Sequence, residues 1–136
     1  MLSRKSGQIV NIGSIFGSLS FPYFGIYSAS KYAIRGFSEA LRRETLGTGV
    51  GVTYVAPRGT ITSQSTEFLE MAKKTGMNMD PPEKVARVIL GAVLSGAKEV
   101  YIGRPERFFV FLNKFFPSII DKALRKNVSI MAEYIT

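Results

Sequence analysis

The chain has 136 residues, 46% hydrophobic and 21% charged, which is the size of one domain or part of one and not the composition of a disordered chain. It contains neither cysteine nor histidine. That excludes disulfides, cysteine-ligated zinc, a cysteine nucleophile and Ser-His-Asp hydrolysis, argues against most metal sites, and leaves acid/base chemistry to Tyr, Lys, Asp and Glu. The net charge of +8 reads first as a solvated basic surface, and no run reaches the ~18 apolar residues of a membrane span.

After Met1 and Leu2 the chain turns polar, unlike a secretory leader. Residues 8–12 (Gln-Ile-Val-Asn-Ile) predict a short buried strand, followed by a loop rich in small residues: Gly13, Ser14, Gly17, Ser18 and Ser20. From Ser28 to Leu46 the pattern is helical. Ala29, Ala33, Gly36, Phe37, Ala40 and Leu41 share one face, expected to pack closely at Gly36, while Arg35, Glu39 and Arg43 are placed to pair on the other. Gly47 is a candidate C-cap. Residues 50–56 predict a second strand, ended by Pro57-Arg58-Gly59.

Residues 62–80 read as irregular, with Met71, Met77 and Met79 as mobile apolar groups. Asp80-Pro81-Pro82-Glu83 predicts a helix start with Asp80 as N-cap. Val85, Val88, Ile89, Ala92 and Val93 continue that helix to Gly96, and Glu99–Ile102 predicts a third strand. In the tail, 104–136, Phe108, Leu112, Phe115, Phe116 and Ile119 lie at helical spacing, with Phe109, Val110 and Phe111 on the other side and Pro117 interrupting. Six Lys and Arg against two acids lie between Arg104 and Lys126.

The order strand, helix, strand, helix, strand predicts an α/β fold with a parallel sheet of three strands. Such a sheet is open, and its first strand keeps an unpaired edge unless more chain lies upstream.

Tyr27 and Lys31 are four apart at the start of a helix and so share a face. A free tyrosine, with a pKa near ~10, is a poor acid/base at neutral pH, and a nearby cation favours its phenolate. Ser14 follows a strand end, where an open α/β sheet places its ligand groups. These residues suit proton transfer at an alcohol or carbonyl oxygen. Tyr-x-x-x-Lys alone is a common pattern; the serine makes it specific.

Asn11-Ile-Gly-Ser14, followed after twelve residues by Tyr27-Ser-Ala-Ser-Lys31, closely resembles the active-site segment of the short-chain dehydrogenase/reductase family. Val-Ala-Pro57-Arg58-Gly59-Thr60-Ile61-Thr62 resembles that family's segment after the next strand, and the likeness spans residues 7–103. It implies a Rossmann-like, doubly wound parallel sheet, seen here as its C-terminal half, with 1–103 a partial catalytic domain and 104–136 a helical extension. It also implies an NAD(P)(H)-dependent oxidoreductase interconverting a carbonyl and a secondary alcohol. In that pattern Tyr27 is the general acid/base and also one of the cofactor-binding residues. Lys31 lowers the Tyr27 pKa and binds the nicotinamide ribose, and Ser14 polarises the substrate carbonyl. Backbone at Pro57 and Thr60 and the Thr62 hydroxyl lie along the cofactor, and 63–80 forms a substrate lid.

Arg58 departs from the family's usual Gly after the proline and lacks its backbone freedom. The family's glycine-rich phosphate turn, its cofactor-choosing residue and its catalytic Asn all precede this segment and are missing from these residues. Residues 1–6 then read as the end of a preceding helix, and Met1 as an internal methionine or the start of a truncated frame. The 136 residues alone are accordingly expected to bind cofactor poorly and to be inactive.

The chain is expected in the cytoplasm. The small-substrate partner is a carbonyl or alcohol, lipid-like by the Phe and Met content of the lid and tail. The full-length protein is expected to form a homo-oligomer. The alternative is a noncatalytic module that dimerises through helix 28–46 or meets a membrane surface through the aromatic, basic stretch 104–126. Nucleic acid is not an expected partner, because the basic residues are scattered and no recognition module is present.

Overall fold

The computed structural model describes residues 1–62 and 64–134. Five strands, Gly7–Ile12 (β1), Val50–Ala56 (β2), Gly59–Thr60 (β3), Met79–Asp80 (β4) and Glu99–Tyr101 (β5), are interleaved with five helices. These are Gly25–Glu44 (α1), Thr66–Lys74 (α2), Pro82–Ser95 (α3), Arg104–Phe115 (α4) and Pro117–Ala132 (α5). The run Val50–Ala56 has the β-branched and aromatic composition of a strand covered on both faces. It forms the middle of a three-stranded, fully parallel sheet in the order β1-β2-β5.

Alternation along the strands sends neighbouring side chains to opposite sides. Val10, Val55 and Val100 face α3, where Val55 packs with Val85, Ala92 and Ile102. Tyr54 and Ala56 face the opposite side and pack with Ile15, Phe16, Leu19 and Val110. Helix α1 covers that second face, with Asn11 Nδ2 donating to Ser38 Oγ (2.9 Å) and Arg35 Nε to Glu99 (3.0 Å). Helices on both faces of a parallel sheet make the fold α/β and Rossmann-like. The free edge of β1 has no partner strand among the described residues.

Several sequence expectations change. Helix α1 begins at Gly25, so Tyr27 lies in its first turn, and it is capped at Thr45, two residues before Gly47. Its small apolar face points outward: Ala29, Ala33, Gly36, Phe37 and Ala40 are exposed, and nothing lies within 4 Å of a Cβ placed on Gly36. The sheet-facing side is polar instead: Ser28 and Ser38 are buried, Ser38 meets Asn11 and Arg35 meets Glu99. Arg35 therefore pairs with Glu99, and only Arg43 pairs with Glu39.

The stretch read as irregular holds α2, capped by Ser65 and burying Met71 and Ala72. Ser63, the first residue of the expected lid, lies outside the described residues, as do positions 135 and 136 of the tail. Pro81, not Asp80, occupies the N-cap position of α3, with no side-chain capping bond, and the Asp80 carboxylate is engaged by Arg58 and Lys84 instead. Gly96 ends α3 with φ 62°, in the left-handed region that glycine enters at little cost. Residues 1–6, expected as a helix end, form a turn closed by the Lys5 amide on the Leu2 carbonyl (3.0 Å). Pro117 does divide the tail into two helices, and Phe111 joins Phe108 on the outer side of α4.

Candidate active site

Ser14 stands at the end of β1 in extended conformation and caps a one-turn 3-10 helix, Ile15–Gly17, its Oγ accepting from the Phe16 amide (3.1 Å). The hydroxyl keeps its own proton to donate. Its backbone is clamped on both sides. The buried Tyr54 hydroxyl donates to the Ser14 carbonyl (3.2 Å), and the Ile15 amide donates to the Pro57 carbonyl (2.9 Å). A Cβ on Gly13 would occupy the space taken by the Tyr54 ring. A Cβ on Gly17 would lie 2.7 Å from the Lys31 carbonyl oxygen, so the serine loop touches α1 at the turn that carries Lys31. Gly17→Ala is expected to destabilise the protein by about 1–3 kcal/mol, read as a lower urea midpoint, because backbone must shift to admit the methyl. Downstream, Ser18 Oγ lies 2.9 Å from the Tyr101 hydroxyl and its carbonyl accepts from Asn113 Nδ2 (3.2 Å), which ties the loop to β5 and α4. Burial pushes the Tyr101 phenol up to about 12.

Tyr27 is 44% exposed, with its ring set edge-on to Phe16 (6.0 Å) and Phe24 (6.3 Å). Lys31 Nζ lies 5.5 Å from the centre of that ring. Ser14 and Tyr27 open on one cavity of about 630 Å³, which Pro57, Thr60 and Thr62 also line. Phe21, Phe24, Phe68, Met77, Ile120 and Leu124 make much of its apolar wall. Lys31 is not a lining residue; it stands against the Tyr27 ring. Gln64 accepts from the Thr62 amide (2.7 Å) and donates to the Thr60 carbonyl (2.6 Å), closing a tight turn in the wall. The residues present suit the nicotinamide-ribose end of a dinucleotide: hydroxyls at Ser14, Tyr27 and Thr62 and an ammonium at Lys31 stand beside an apolar cavity.

Sequence reading missed the group next to this wall. Arg58 forks onto Asp80 (2.7 and 2.8 Å) and reaches both Glu106 oxygens (3.0 and 3.1 Å). Lys84 Nζ contacts Asp80 (2.7 Å), and Asn78 Nδ2 contacts Glu106 (2.6 Å). The residue that breaks the family's glycine pattern thus fastens the end of β2 to β4 and α4, and Lys84 of α3 joins the group through Asp80. The only sequence signal was an arginine one residue beyond a largely apolar strand, where a charge needs partners.

Hydrogen bonds from Arg58, and after burial's opposing effect those from Lys84, hold the Asp80 carboxyl at about 2, below its ordinary 3.8. The folded value lies below the unfolded one, so this stabilisation is complete above the unfolded pKa and is lost as pH falls through the folded one. It amounts to about 2 kcal/mol. Acid titration followed by circular dichroism should show stability falling between about pH 5 and pH 2, and Asp80→Asn should flatten that fall.

Among the described residues no helix is long and apolar enough to cross a membrane. A solved short-chain dehydrogenase from Burkholderia cenocepacia, in complex with NADP, superposes with a TM-score of 0.73 at 24% identity, over 91% of this chain and 49% of that one. The 17-beta-hydroxysteroid dehydrogenase 13 of Rattus norvegicus is 30% identical, over 99% of this chain and 45% of its own length. The 3-ketodihydrosphingosine reductase of Bacteroides thetaiotaomicron is 38% identical, over 64% of this chain and 32% of its own. The chain thus spans less than half the length of these curated relatives. The model of the short chain dehydrogenase family matches residues 1–73, the stretch that holds the Ser14 loop, Tyr27 and Lys31. With the family model matching more than half of the chain and a relative 30% identical over 99% of it, the chain belongs to the short-chain dehydrogenase family.

Proposed function

We propose that this chain is the catalytic part of an NAD(P)(H)-dependent oxidoreductase that interconverts a carbonyl and a secondary alcohol on an apolar, lipid-like substrate. What supports the reading most is that the Ser14 and Tyr27 hydroxyls open on one largely apolar cavity, with the Lys31 ammonium beside the Tyr27 ring. Two relatives, named for a hydroxysteroid and a ketodihydrosphingosine, favour the same substrate class.

Ser14 and Tyr27 both donate to the substrate oxygen and hold the carbonyl carbon towards the cofactor side of the cavity. A bound nicotinamide supplies the hydride. Tyr27 gives its proton to that oxygen as the alcohol forms, and takes it back in oxidation. Lys31 places positive charge next to Tyr27 and binds the ribose. Pro57, Thr60 and Thr62 line the cofactor side, and the segment around α2 covers the substrate. Residues 1–103 act as the catalytic unit and 104–134 close the cavity from the other side.

No glycine-rich phosphate turn occurs in these 136 residues, so the chain alone is expected to turn over no substrate. Joined behind the nucleotide-binding half of a family relative, it is expected to oxidise NADPH or NADH with a panel of long-chain and ring ketones. Failure of a folded fusion to do so overturns the proposal; turnover by the 136-residue chain alone overturns only its dependence on that half.

The outward small-residue face of α1 favours a second reading, contact between two copies. Phe37, 57% exposed at its centre, is the residue to change. Sedimentation equilibrium should show a dimer that Phe37→Glu dissociates; a monomer throughout rejects it.

A further inference from the structure

We propose that α4 is a docking face for an anionic lipid surface. The helix turns Glu106, Val110 and Asn113 to the protein. Glu106 is held by Arg58 and Asn78, Val110 packs on the core, and Asn113 donates to the Ser18 carbonyl. At one residue per 100° of turn, the opposite side carries Phe108, Phe111 and Phe115 in a single stripe. They are exposed by 59%, 58% and 56%. The Phe111 and Phe115 rings stand 5.0 Å apart, so the stripe is continuous across a turn.

Charge decides what fits this stripe. Arg104 lies in line with it, and Arg107 and Lys114 run along one edge. All three are exposed, and among the described residues none forms an ion pair. The helix's acid, Glu106, faces inward and is consumed by Arg58. The charges that α4 itself leaves along the stripe are therefore all positive; beyond Lys114 lie Glu39 and Glu99, which Arg43 and Arg35 already pair. A second copy docking on the same face would bring like charges together. The boundary between anionic headgroups and acyl chains offers both an apolar layer for the rings and counter-charge for the rim. Phe109, the next residue after Phe108, lines the cavity, and the two rings are 6.1 Å apart. The lipid face thus adjoins the substrate cavity.

The test is flotation of the 136-residue chain with vesicles of phosphatidylcholine alone or mixed with phosphatidylserine. Binding should favour the anionic vesicles and weaken as salt is raised. Arg104→Gln/Arg107→Gln/Lys114→Gln should lower partition into anionic vesicles by roughly 100-fold, about fivefold per cation. Phe111→Ser/Phe115→Ser should lower it at least about tenfold, with an unchanged circular dichroism spectrum. Arg87→Gln/Lys98→Gln, on other elements, should bind like the parent. Equal binding to both vesicle types, or an undiminished Phe variant that remains folded, overturns the proposal. So does a dimer in the parent that the Phe variant dissociates, which would make the stripe a contact between copies. None of these readouts needs turnover, so failure of the lipid face and failure of the proposed reaction are separate results.

Discussion

Tyr27→Phe is expected to lower kcat of the fusion carrying a nucleotide-binding half by on the order of 10²–10⁴-fold, the usual contribution of a positioned proton donor. The substitution removes only the hydroxyl. The ring keeps its edge contacts with Phe16 and Phe24, at 6.0 and 6.3 Å, and the group is 44% exposed. Unfolding free energy should therefore stay within about 0.5 kcal/mol of the parent, which separates lost chemistry from lost fold. Ser14 still donates to the substrate oxygen, so KM should change far less than kcat. The measurement is steady-state oxidation of reduced cofactor beside urea unfolding of the same sample. A variant that retains more than about a tenth of the parent kcat is inconsistent with Tyr27 as the proton donor. Lys31→Met should also lower kcat, and should weaken cofactor binding more than Tyr27→Phe does, since the lysine is assigned the ribose hydrogen bond.

Arg58→Met should cost about 3–5 kcal/mol of stability, the scale for breaking a buried ion pair from one side. Asp80 is 2% exposed and the Glu106 side chain 13%, so neither carboxylate can recover its lost partner from water. Lys84 remains on Asp80, but it is a single point contact where arginine made a two-pronged one. Arg58→Lys is accordingly expected to rescue little, because an ammonium cannot fork between two carboxylates. Adding Asp80→Asn to Arg58→Met should recover part of the loss, since a neutral amide is cheaper to leave buried than an unpaired charge. Urea midpoints of the four proteins measure this directly. A loss below about 1 kcal/mol in Arg58→Met would show that the clamp is replaced by solvent.

Local periodicity determined much of this protein. The apolar run 50–56, the helix signals around it and the spacing of Ser14, Tyr27 and Lys31 are properties of neighbours along the chain. They made the α/β order, the parallel sheet and the family segment legible before any packing was known. Element ends and faces were less legible. Amphipathic pattern places apolar residues inward, but α1 turns its small apolar side out, and its Ser38 hydroxyl and Arg35 guanidinium meet Asn11 and Glu99 of the sheet. Asp80 reads as a helix cap until Arg58, 22 positions earlier, is folded against it. Tyr54 likewise gives no local sign that its hydroxyl holds the Ser14 carbonyl across 40 positions. Sequence by itself thus determined which residues carry the chemistry's signature and which elements hold them. Tertiary structure alone decided how the serine loop is clamped, why Arg58 stands where glycine is usual, and which aromatic residues enter the cavity and which stay outside. The physical reason is range: helix and strand patterns arise within a few residues, whereas buried charges and polar groups must find partners wherever the fold brings them.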